Sequence, residues 1–279
     1  MYGKASIKTS ISFILSLHLI LNLIINKCLR KKFNTITLYV HLSIKNIMSK
    51  LNELKDYLIE LGASKVGFAN VNGLANEFID LPNGISLVLK LPKETIQLVK
   101  DEEYETYWKS FHREIGKLTK IAHKGERYIK NLGYDAFALT MKRNECDMEK
   151  LLSILPYKTI ATKSGLGWIG RSALFVTPEY GSAVALGAIL TDMPLEFGKP
   201  ITDSECDDCT NCQDACPVDA INPQKWNNRL NREDIIDIKT CSEYIIDQYK
   251  AGLGCTKCMS ECKLTQEYLK RQSYPSDSK

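Results

Sequence analysis

The sequence predicts an α+β fold, in which an α/β N-terminal domain with a mixed sheet is followed by a small cysteine-rich domain. Two observations support this prediction. Helical and strand-like patterns alternate from residue 48 to about residue 200, an order typical of a sheet covered by helices. Eight of the ten cysteines then fall between Cys206 and Cys262. We therefore divide the chain into four parts: an extension at 1–47, an α/β domain at 48–200, a cysteine-rich domain at 201–272 and a disordered tail at 273–279.

The extension differs in composition from the rest of the chain. Residues 1–50 contain eight Lys and Arg and no Asp or Glu, so the remainder carries a small net negative charge and gives no reason to expect nucleic-acid binding from bulk charge. The apolar run at 11–25 is interrupted by polar residues and is shorter than a usual membrane span. Three interpretations remain open: a weak membrane anchor, a signal peptide, or sequence upstream of a true start at Met48. We favour the start at Met48, with no stable membrane insertion and a cytoplasmic location.

The elements of the α/β domain follow from hydrophobic periodicity. Leu51, Leu54 and Leu58 recur at helical spacing ahead of Gly62 and predict a first helix. A long helix is predicted from about residue 101 to residue 132, where Gly133 ends it. Short aliphatic or β-branched runs predict five strands, at 65–71, 84–91, 134–141, 173–177 and 183–191.

The cysteine-rich domain opens with four cysteines spaced by two, two and three residues, and a proline follows the last of them. They are Cys206, Cys209, Cys212 and Cys216. This spacing is typical of chains that bind iron–sulfur clusters. The first three thiolates can converge on one cubane, while the fourth serves another cluster. The motif therefore predicts two clusters.

The second half of the motif is altered but complete in number. Cys255, Cys258 and Cys262 repeat the spacing, and Cys241 replaces the cysteine that would stand at Gly252. The eight thiolates are the number that two four-cysteine cubanes require. Crossed ligation then predicts two sets of ligands. Set I is Cys206, Cys209, Cys212 and Cys262, and set II is Cys216, Cys241, Cys255 and Cys258. The region 201–272 is thus predicted to be a ferredoxin-like double [4Fe-4S] domain.

Two alternatives remain open for these cysteines. Zinc ribbons also use Cys-x2-Cys pairs, and cysteine-dense segments of secreted proteins form disulfide frameworks. The spacing that ends in Cys-Pro favours clusters over zinc, and the chain does not otherwise look like a small secreted scaffold. Thiolate-bound clusters also favour a reducing, cytoplasmic environment.

Residues 165–170, Gly-Leu-Gly-Trp-Ile-Gly, match the G-x-G-x-x-G pattern of dinucleotide-binding loops. The context does not fit, because that fingerprint needs a buried strand before it and a helix after it. Here polar residues precede the glycines and a strand-like run follows them. The bulky Trp168 would also crowd a pyrophosphate, so we assign no nicotinamide cofactor to this loop.

Four motifs follow one another between about residues 100 and 265. They are Thr-Lys-Ser-Gly-Leu-Gly-Trp-Ile-Gly-Arg at 162–171, Pro-Glu-Tyr-Gly-Ser at 178–182, Leu-Thr-Asp-Met-Pro-Leu-Glu at 190–196, and the double cysteine motif. Their order resembles the epoxyqueuosine reductase family. Members of that family are cobalamin-dependent iron–sulfur enzymes related to reductive dehalogenases, and they reduce an epoxide on a modified tRNA base. The resemblance implies that two clusters relay electrons from an external donor, of ferredoxin or flavodoxin type, to a corrinoid.

The same resemblance implies that the corrinoid lies between the two domains. Its contacts would come from two glycine-containing segments and from a histidine in a Ser-Phe-His run of the long helix, which is similar to an Asp-Tyr-His motif of the family. The corrinoid-binding residues carried over are Gly165, Gly167, Trp168, Gly170, Arg171, Glu179, Tyr180, Gly181, Ser182 and His112.

One feature of the family is missing from this sequence. Family members have an aspartate, thought to donate a proton, shortly before the Gly-Leu-Gly-Trp motif, and the corresponding residues 151–159 contain no acid. Tyr157 and Lys158 are the predicted catalytic replacements, by analogy with a tyrosine and a basic residue of reductive dehalogenases. A cation beside a phenol favours proton transfer. The alternative is a packing tyrosine and a solvent-facing lysine.

Two classes of function remain open. One is a corrinoid-dependent reductase that acts on epoxyqueuosine in tRNA or on another small electrophile. The other is a ferredoxin-like electron-transfer protein that docks a redox partner and performs no catalysis. Binding of a corrinoid separates the two.

Overall fold

The computed structural model describes residues 49–74, 79–140, 143, 146–147, 152–153, 155–250 and 255–271. The predicted extension and the predicted tail lie outside these residues. None of the helices in the described ranges is both long and apolar enough to cross a membrane.

Helices and strands alternate as far as residue 191, and the regular elements in the described residues beyond it are short helices joined by loops. In chain order the elements are α1 (49–60), β1 (Lys65–Asn70), β2 (Asn83–Lys90), α2 (Lys93–Lys100), α3 (Tyr104–Asn131), β3 (Ala136–Leu139), β4 (Cys146–Asp147), β5 (Leu152–Ser153), α4 (Tyr157–Lys163), β6 (Trp168–Ile169), β7 (Phe175–Val176), β8 (Val184–Thr191), α5 (Asn211–Asp214), a 3-10 turn (Arg232–Asp234), α6 (Ile238–Lys250), α7 (Lys257–Ser260) and α8 (Lys263–Lys270).

A four-stranded sheet with the order β1-β2-β8-β3 forms the centre of the first domain. The α+β class is confirmed, but the sheet differs from the mixed one predicted, because all three of its described pairings are antiparallel. Strands β2 and β3 do run in the same direction, as a strand–helix–strand pattern predicts. Strand β8 lies between them and pairs with both in the opposite direction, so these two parallel strands never become neighbours.

Helices cover both faces of this sheet. On one face, Leu54 and Leu58 of α1 are fully buried, and they belong to the same apolar core as Leu118 and Ile121 of α3. On the other face, α4 buries Ile160 and Ala161 against side chains of β2 and β8. Burial on both faces explains why β2 is buried along almost its whole length.

A buried carboxylate on α3 holds together one end of this domain. The Glu126 side chain is 8% exposed and accepts from Lys130 at 2.9 Å, from Arg143 at 2.9 Å and from His123 at 3.2 Å. Burial opposes ionisation of this carboxyl, but the hydrogen bonds from Lys130 and His123 and the charge of Arg143 outweigh it, so the pKa of Glu126 is lowered from 4.5. The network joins α3 to the segment that follows β3.

Replacing Glu126 with Gln should reveal the contribution of this charge. A carboxylate with a lowered pKa stabilises the fold above its unfolded pKa, and that contribution is lost as the pH falls through the folded pKa. We therefore expect E126Q to reduce the free energy of unfolding by about 2 kcal/mol at pH 7, and the difference from wild type to shrink below the ordinary pKa of 4.5. Urea unfolding from pH 7 to pH 3 measures it. The matched control is Glu105→Gln, in an exposed pair with Lys109, which should show no measurable loss; equal losses in the two variants would contradict this account.

Candidate iron–sulfur centre

The first group of cysteines assembles around Cys212. All eight cysteines of the motif are free thiols and partly exposed. Burial, with the nearby charges of Cys206, Cys262 and Cys209, raises the pKa of the Cys212 thiol to about 11. These four residues are the members of set I. Cys262 therefore lies beside the first half of the motif, although it is the last cysteine in the sequence.

The remaining four cysteines form a second group around a cavity. Cys216, Cys241, Cys255 and Cys258 all line this cavity, together with apolar side chains and Tyr244. Burial is the main cause that raises the pKa of Cys241, and the charges of Cys255 and Cys216 add to it. Burial likewise raises the pKa of Cys258, which is affected by its three companions and also by Cys212. These are the members of set II, and the two groups adjoin through Cys258 and Cys212.

The grouping fits the predicted cofactor in number and in chemistry. Each group offers four thiols, the donor set that a [4Fe-4S] cubane takes. The pKa is raised for the thiols of Cys212, Cys241, Cys255 and Cys258, so binding of iron by these residues would displace protons. Within the described residues, no three His, Cys, Asp or Glu side chains come together in a group that could hold a single metal ion. Cluster ligation by sets I and II stays a prediction.

Short helices bring these cysteines together. Cys212 lies in α5, Cys241 in α6 and Cys258 in α7, and Cys262 stands directly before α8. Helix α7 packs against α5 and also against α2 of the sheet domain. Among the described residues, the Ala220 amide donates to Cys216 Sγ at 3.3 Å, the Trp168 indole donates to Cys206 Sγ at 3.4 Å, and the Lys257 backbone donates to Cys255.

The segment 165–171 lies against the cysteine-rich domain. Trp168 is buried in an apolar cluster that includes several of the cysteines. The Arg171 guanidinium donates to the carbonyl of Pro223 at 2.7 Å and to that of Asp207 at 3.1 Å. A Cβ on Gly170 would lie 3.5 Å from Cys206 Sγ. The structure thus gives these residues protein partners, and their contact with a corrinoid stays a prediction.

Gly165 and Gly167 of the same segment also approach protein backbone closely. A Cβ on Gly165 would lie 2.5 Å from the carbonyl oxygen of Lys199, and one on Gly167 would lie 2.0 Å from that of Val176. After Gly170 the chain turns and enters the short strand β7, so no helix follows the glycines. This is the context that separates the loop from a dinucleotide fingerprint.

The segment 179–182 docks on the end of the chain. Glu179 pairs with Lys65 at 2.7 Å, and the ring of Tyr180 meets Tyr268 of α8 edge to face at 5.5 Å. The Ser182 amide donates to the Thr265 hydroxyl at 3.1 Å. Gly181 lies between these contacts and packs on the backbone of α8. Corrinoid contact by these four residues likewise stays a prediction.

The two predicted catalytic residues are neighbours on α4 but point to different places. The half-buried Lys158 donates from Nζ to the carbonyl of Ala173 at 2.7 Å, and burial, followed by the charge of Arg232, lowers its pKa. Tyr157 lines a small pocket between α3 and the sheet. Adjacent residues of a helix do not face each other, which explains why the pair is separated. Lys158 is therefore not the solvent-facing side chain of the alternative interpretation.

An aromatic group at the start of α3 was missed by sequence reasoning. The rings of Tyr107, Trp108 and Phe111 contact one another, and His112 extends the group with its Nδ1 placed 2.7 Å from the Trp108 carbonyl. Burial raises the pKa of Tyr107, and the nearby charge of Cys258 adds to it. The Trp108 indole N–H is buried with no hydrogen-bond partner. The aromatic spacing was visible in the sequence, but its place beside set II was not.

Comparisons with known proteins agree with the motifs. No protein-family profile matches the chain. Epoxyqueuosine reductase from Staphylococcus aureus is 34% identical over 115 residues, which cover 39% of this chain and 29% of that enzyme. Epoxyqueuosine reductase from Vibrio cholerae is 28% identical over 187 residues, covering 59% of this chain and 45% of that enzyme. The chain thus spans less than half the length of either relative.

Solved structures share the fold at low sequence identity. A catabolic reductive dehalogenase superposes with a TM-score of 0.63 and 19% identity, over 76% of this chain and 31% of the other. Another dehalogenase structure, described as suggesting a mechanism for B12-dependent dehalogenation, gives a TM-score of 0.61 at 19% identity, over 75% and 30%. An epoxyqueuosine reductase solved with an epoxyqueuosine-modified tRNA stem loop gives 0.51 at 17% identity, over 79% and 66%.

The fold and the cysteine sets together define the class of this protein. It combines an antiparallel α+β domain with a cysteine-rich region compatible with a ferredoxin-like domain, and its fold is similar to those of the dehalogenase and reductase structures. In sequence, the chain is similar to the epoxyqueuosine reductases of Staphylococcus aureus and Vibrio cholerae. The resemblance that the motifs indicate is therefore confirmed.

Proposed function

We propose that this chain is a corrinoid-dependent iron–sulfur reductase of the epoxyqueuosine reductase type. Electrons from an external donor of ferredoxin or flavodoxin type would pass through two [4Fe-4S] clusters, and epoxyqueuosine in tRNA is the substrate to test first. The observation that carries the proposal is the assembly of the eight cysteines into two adjoining groups of four. The names of the relatives and the B12 dependence of a structural neighbour support it.

The contacts suggest a route for electrons towards α3. Sets I and II adjoin through Cys212 and Cys258, and Cys258 lies near Tyr107 at the start of α3. Because set II adjoins both set I and Tyr107 of α3, it would stand between set I and the substrate side. Set II is then the centre from which electrons leave for the substrate side.

One face of α3 offers a surface for the corrinoid. Trp108 and His112 lie one turn apart, and Ile115 and Thr119 continue the same stripe. The buried Trp108 N–H without a partner and the exposed aromatic edges fit a large, flat cofactor that carries hydrogen-bond acceptors. A bound corrinoid would supply the low-valent cobalt at which an electrophile is reduced. We place His112 at this surface, together with the carried-over segments 165–171 and 179–182.

Tyr157 stands near the same surface. It lines the pocket whose opposite wall is made by Ile115 and Thr119 of α3, one and two turns beyond His112. We propose Tyr157 as the residue that donates a proton to the reduced substrate. Lys158 would act with it from its place on the Ala173 carbonyl, holding the loop that follows Gly170.

Corrinoid retention tests this proposal. The chain should be purified without oxygen, reconstituted with iron and sulfide, incubated with cobalamin and separated by gel filtration. We expect a corrinoid band that elutes with the protein, and a reduced band in His112→Ala because that variant removes a ring from the proposed surface. Lys109→Ala is the matched control. Lys109 lies on the same helix, its side chain is exposed, and it pairs with Glu105.

The loaded protein is then given an epoxyqueuosine-containing tRNA stem loop and a chemical reductant, and queuosine is sought by mass spectrometry. Formation of queuosine supports the whole proposal. A retained corrinoid without queuosine would overturn the substrate assignment. Clusters without any retained corrinoid would overturn the proposed enzymatic function. That result would favour the alternative, an electron-transfer protein that docks a redox partner.

A further inference from the structure

One side chain of the sheet domain donates a hydrogen bond to a cysteine of the other domain. The indole N–H of Trp168 points at Cys206 Sγ at 3.4 Å, and the ring is 3% exposed. Indole nitrogen is a donor only, so the direction of this bond is fixed. Among the described residues, no other side-chain N–H donates to a sulfur of the eight cysteines.

Gly170 and Arg171, which follow Trp168 closely in the chain, add to this arrangement. Gly170 lets the loop approach the same sulfur, since its Cβ position is 3.5 Å from Cys206 Sγ. Arg171 is 8% exposed and is held on the carbonyl of Asp207, the residue directly after Cys206. Its Nε–H is buried without a partner. A hydrogen-bond donor thus lies on Cys206 of set I, and a fixed positive charge is held on the backbone of the next residue.

We infer that the segment 168–171 raises the reduction potential of the cluster held by set I. This inference rests on the proposed function, because it requires clusters at the two cysteine sets. Reduction adds a negative charge that spreads onto the cluster sulfurs, and a nearby donor and cation stabilise that charge. In set II the donors to sulfur among the described residues are backbone groups, the Ala220 amide to Cys216 and the Lys257 amide to Cys255, and the Lys257 side chain near Cys255 is paired with Glu102 at 3.5 Å. Burial among tyrosines and apolar residues opposes added charge there.

The consequence is an ordered pair of potentials. The set I cluster is the first to accept an electron, and the set II cluster is reduced at a more negative potential. The loop proposed as a corrinoid contact thereby has a second role on the electron-transfer side. Trp168 and Arg171 are positioning residues for the set I cluster, whether or not they also touch a corrinoid.

An EPR-monitored redox titration of the reconstituted chain tests this. We expect two one-electron waves. In Trp168→Phe the wave at higher potential should move to more negative potential while the other stays in place. A tenfold change in the reduction equilibrium corresponds to 59 mV for a one-electron couple, and we expect a shift of about that size. Trp226→Phe is the matched control, because Trp226 is buried in the same apolar cluster and its ring donates to no cysteine sulfur in the described residues.

The outcomes separate this inference from the proposed function. If wild type binds no clusters, the proposed function fails. If W168F keeps the full iron content and neither wave moves, or W226F moves the same wave equally, the inference is overturned and the proposed function stands. Should W168F lose the set I cluster, Arg171→Gln provides the second test, since it removes the charge and retains an amide donor. An unshifted wave in R171Q would then overturn the inference.

Discussion

Replacing Cys258 with serine is expected to remove one cluster and leave the other. Cys258 is the set II thiol whose surroundings include all three of its companions, and a serine oxygen is a poor ligand for iron in a cubane. The variant should keep about four of about eight irons, because each cubane contains four. Iron and acid-labile sulfide analysis of anaerobic protein measures the loss. Cys146→Ser is the control, since this cysteine belongs to neither set and should leave the iron content unchanged.

Paired substitutions test the crossed arrangement. Cys262 is close to Cys258 in sequence, but in the structure it is a neighbour of Cys212. We therefore expect C212S/C262S to remove only the set I cluster and to keep about four irons. C258S/C262S removes a ligand from both sets and should keep none. The reverse result, with half of the iron left in C258S/C262S and none in C212S/C262S, would contradict the crossed sets.

Replacing Gly181 with alanine is expected to weaken the docking of the cysteine-rich domain on the sheet domain. Gly181 has φ of +59°, and an added Cβ would lie 2.2 Å from the Thr265 nitrogen and 2.7 Å from the Leu264 carbonyl carbon. These are backbone atoms of α8, which cannot move without breaking the bond from the Ser182 amide to Thr265. We expect a loss of about 3 kcal/mol in the free energy of unfolding. The set I cluster should become labile too, because Cys262 directly precedes α8.

Anaerobic urea unfolding, read together with iron content, measures this effect. Gly73→Ala is the matched control: Gly73 has φ of +72°, but nothing lies within 4 Å of its Cβ position. Backbone strain alone should then destabilise the control by about 1 kcal/mol. If G181A is no worse than G73A, the close approach of α8 does not contribute as described.

The sheet domain was well predicted where periodicity was long or strongly aliphatic. The predicted strand 84–91 is β2 within one residue at each end, and the predicted helix 101–132 contains α3. Helices α2 and α4 were not predicted, because each spans only two turns and begins after a proline, so no repeat of apolar spacing develops. The position of β8 between β2 and β3 could not be predicted, since local sequence does not determine which strands pair.

The cysteine sets were predictable because spacing along the chain limits which thiols can meet. Cys241, which takes the place of the cysteine expected at residue 252, lies near Cys255 and Cys216 of set II. It was predicted there because two cubanes need eight thiolates. Trp168 shows the opposite case: its bond to Cys206 joins residues 38 positions apart, so no local pattern reveals it. The separation of Tyr157 from Lys158 depends on a helix that the sequence did not predict, and hence their relative directions were unknown.

Two inorganic clusters are expected on the interleaved cysteines of sets I and II. Quantification of iron, sulfide and zinc in protein purified without oxygen, with Mössbauer spectroscopy of the same sample, tests this most directly. We expect about eight irons and eight sulfides per chain, in two [4Fe-4S] environments. Zinc in place of iron, or a single cluster with four thiols left reactive to alkylation, would contradict it.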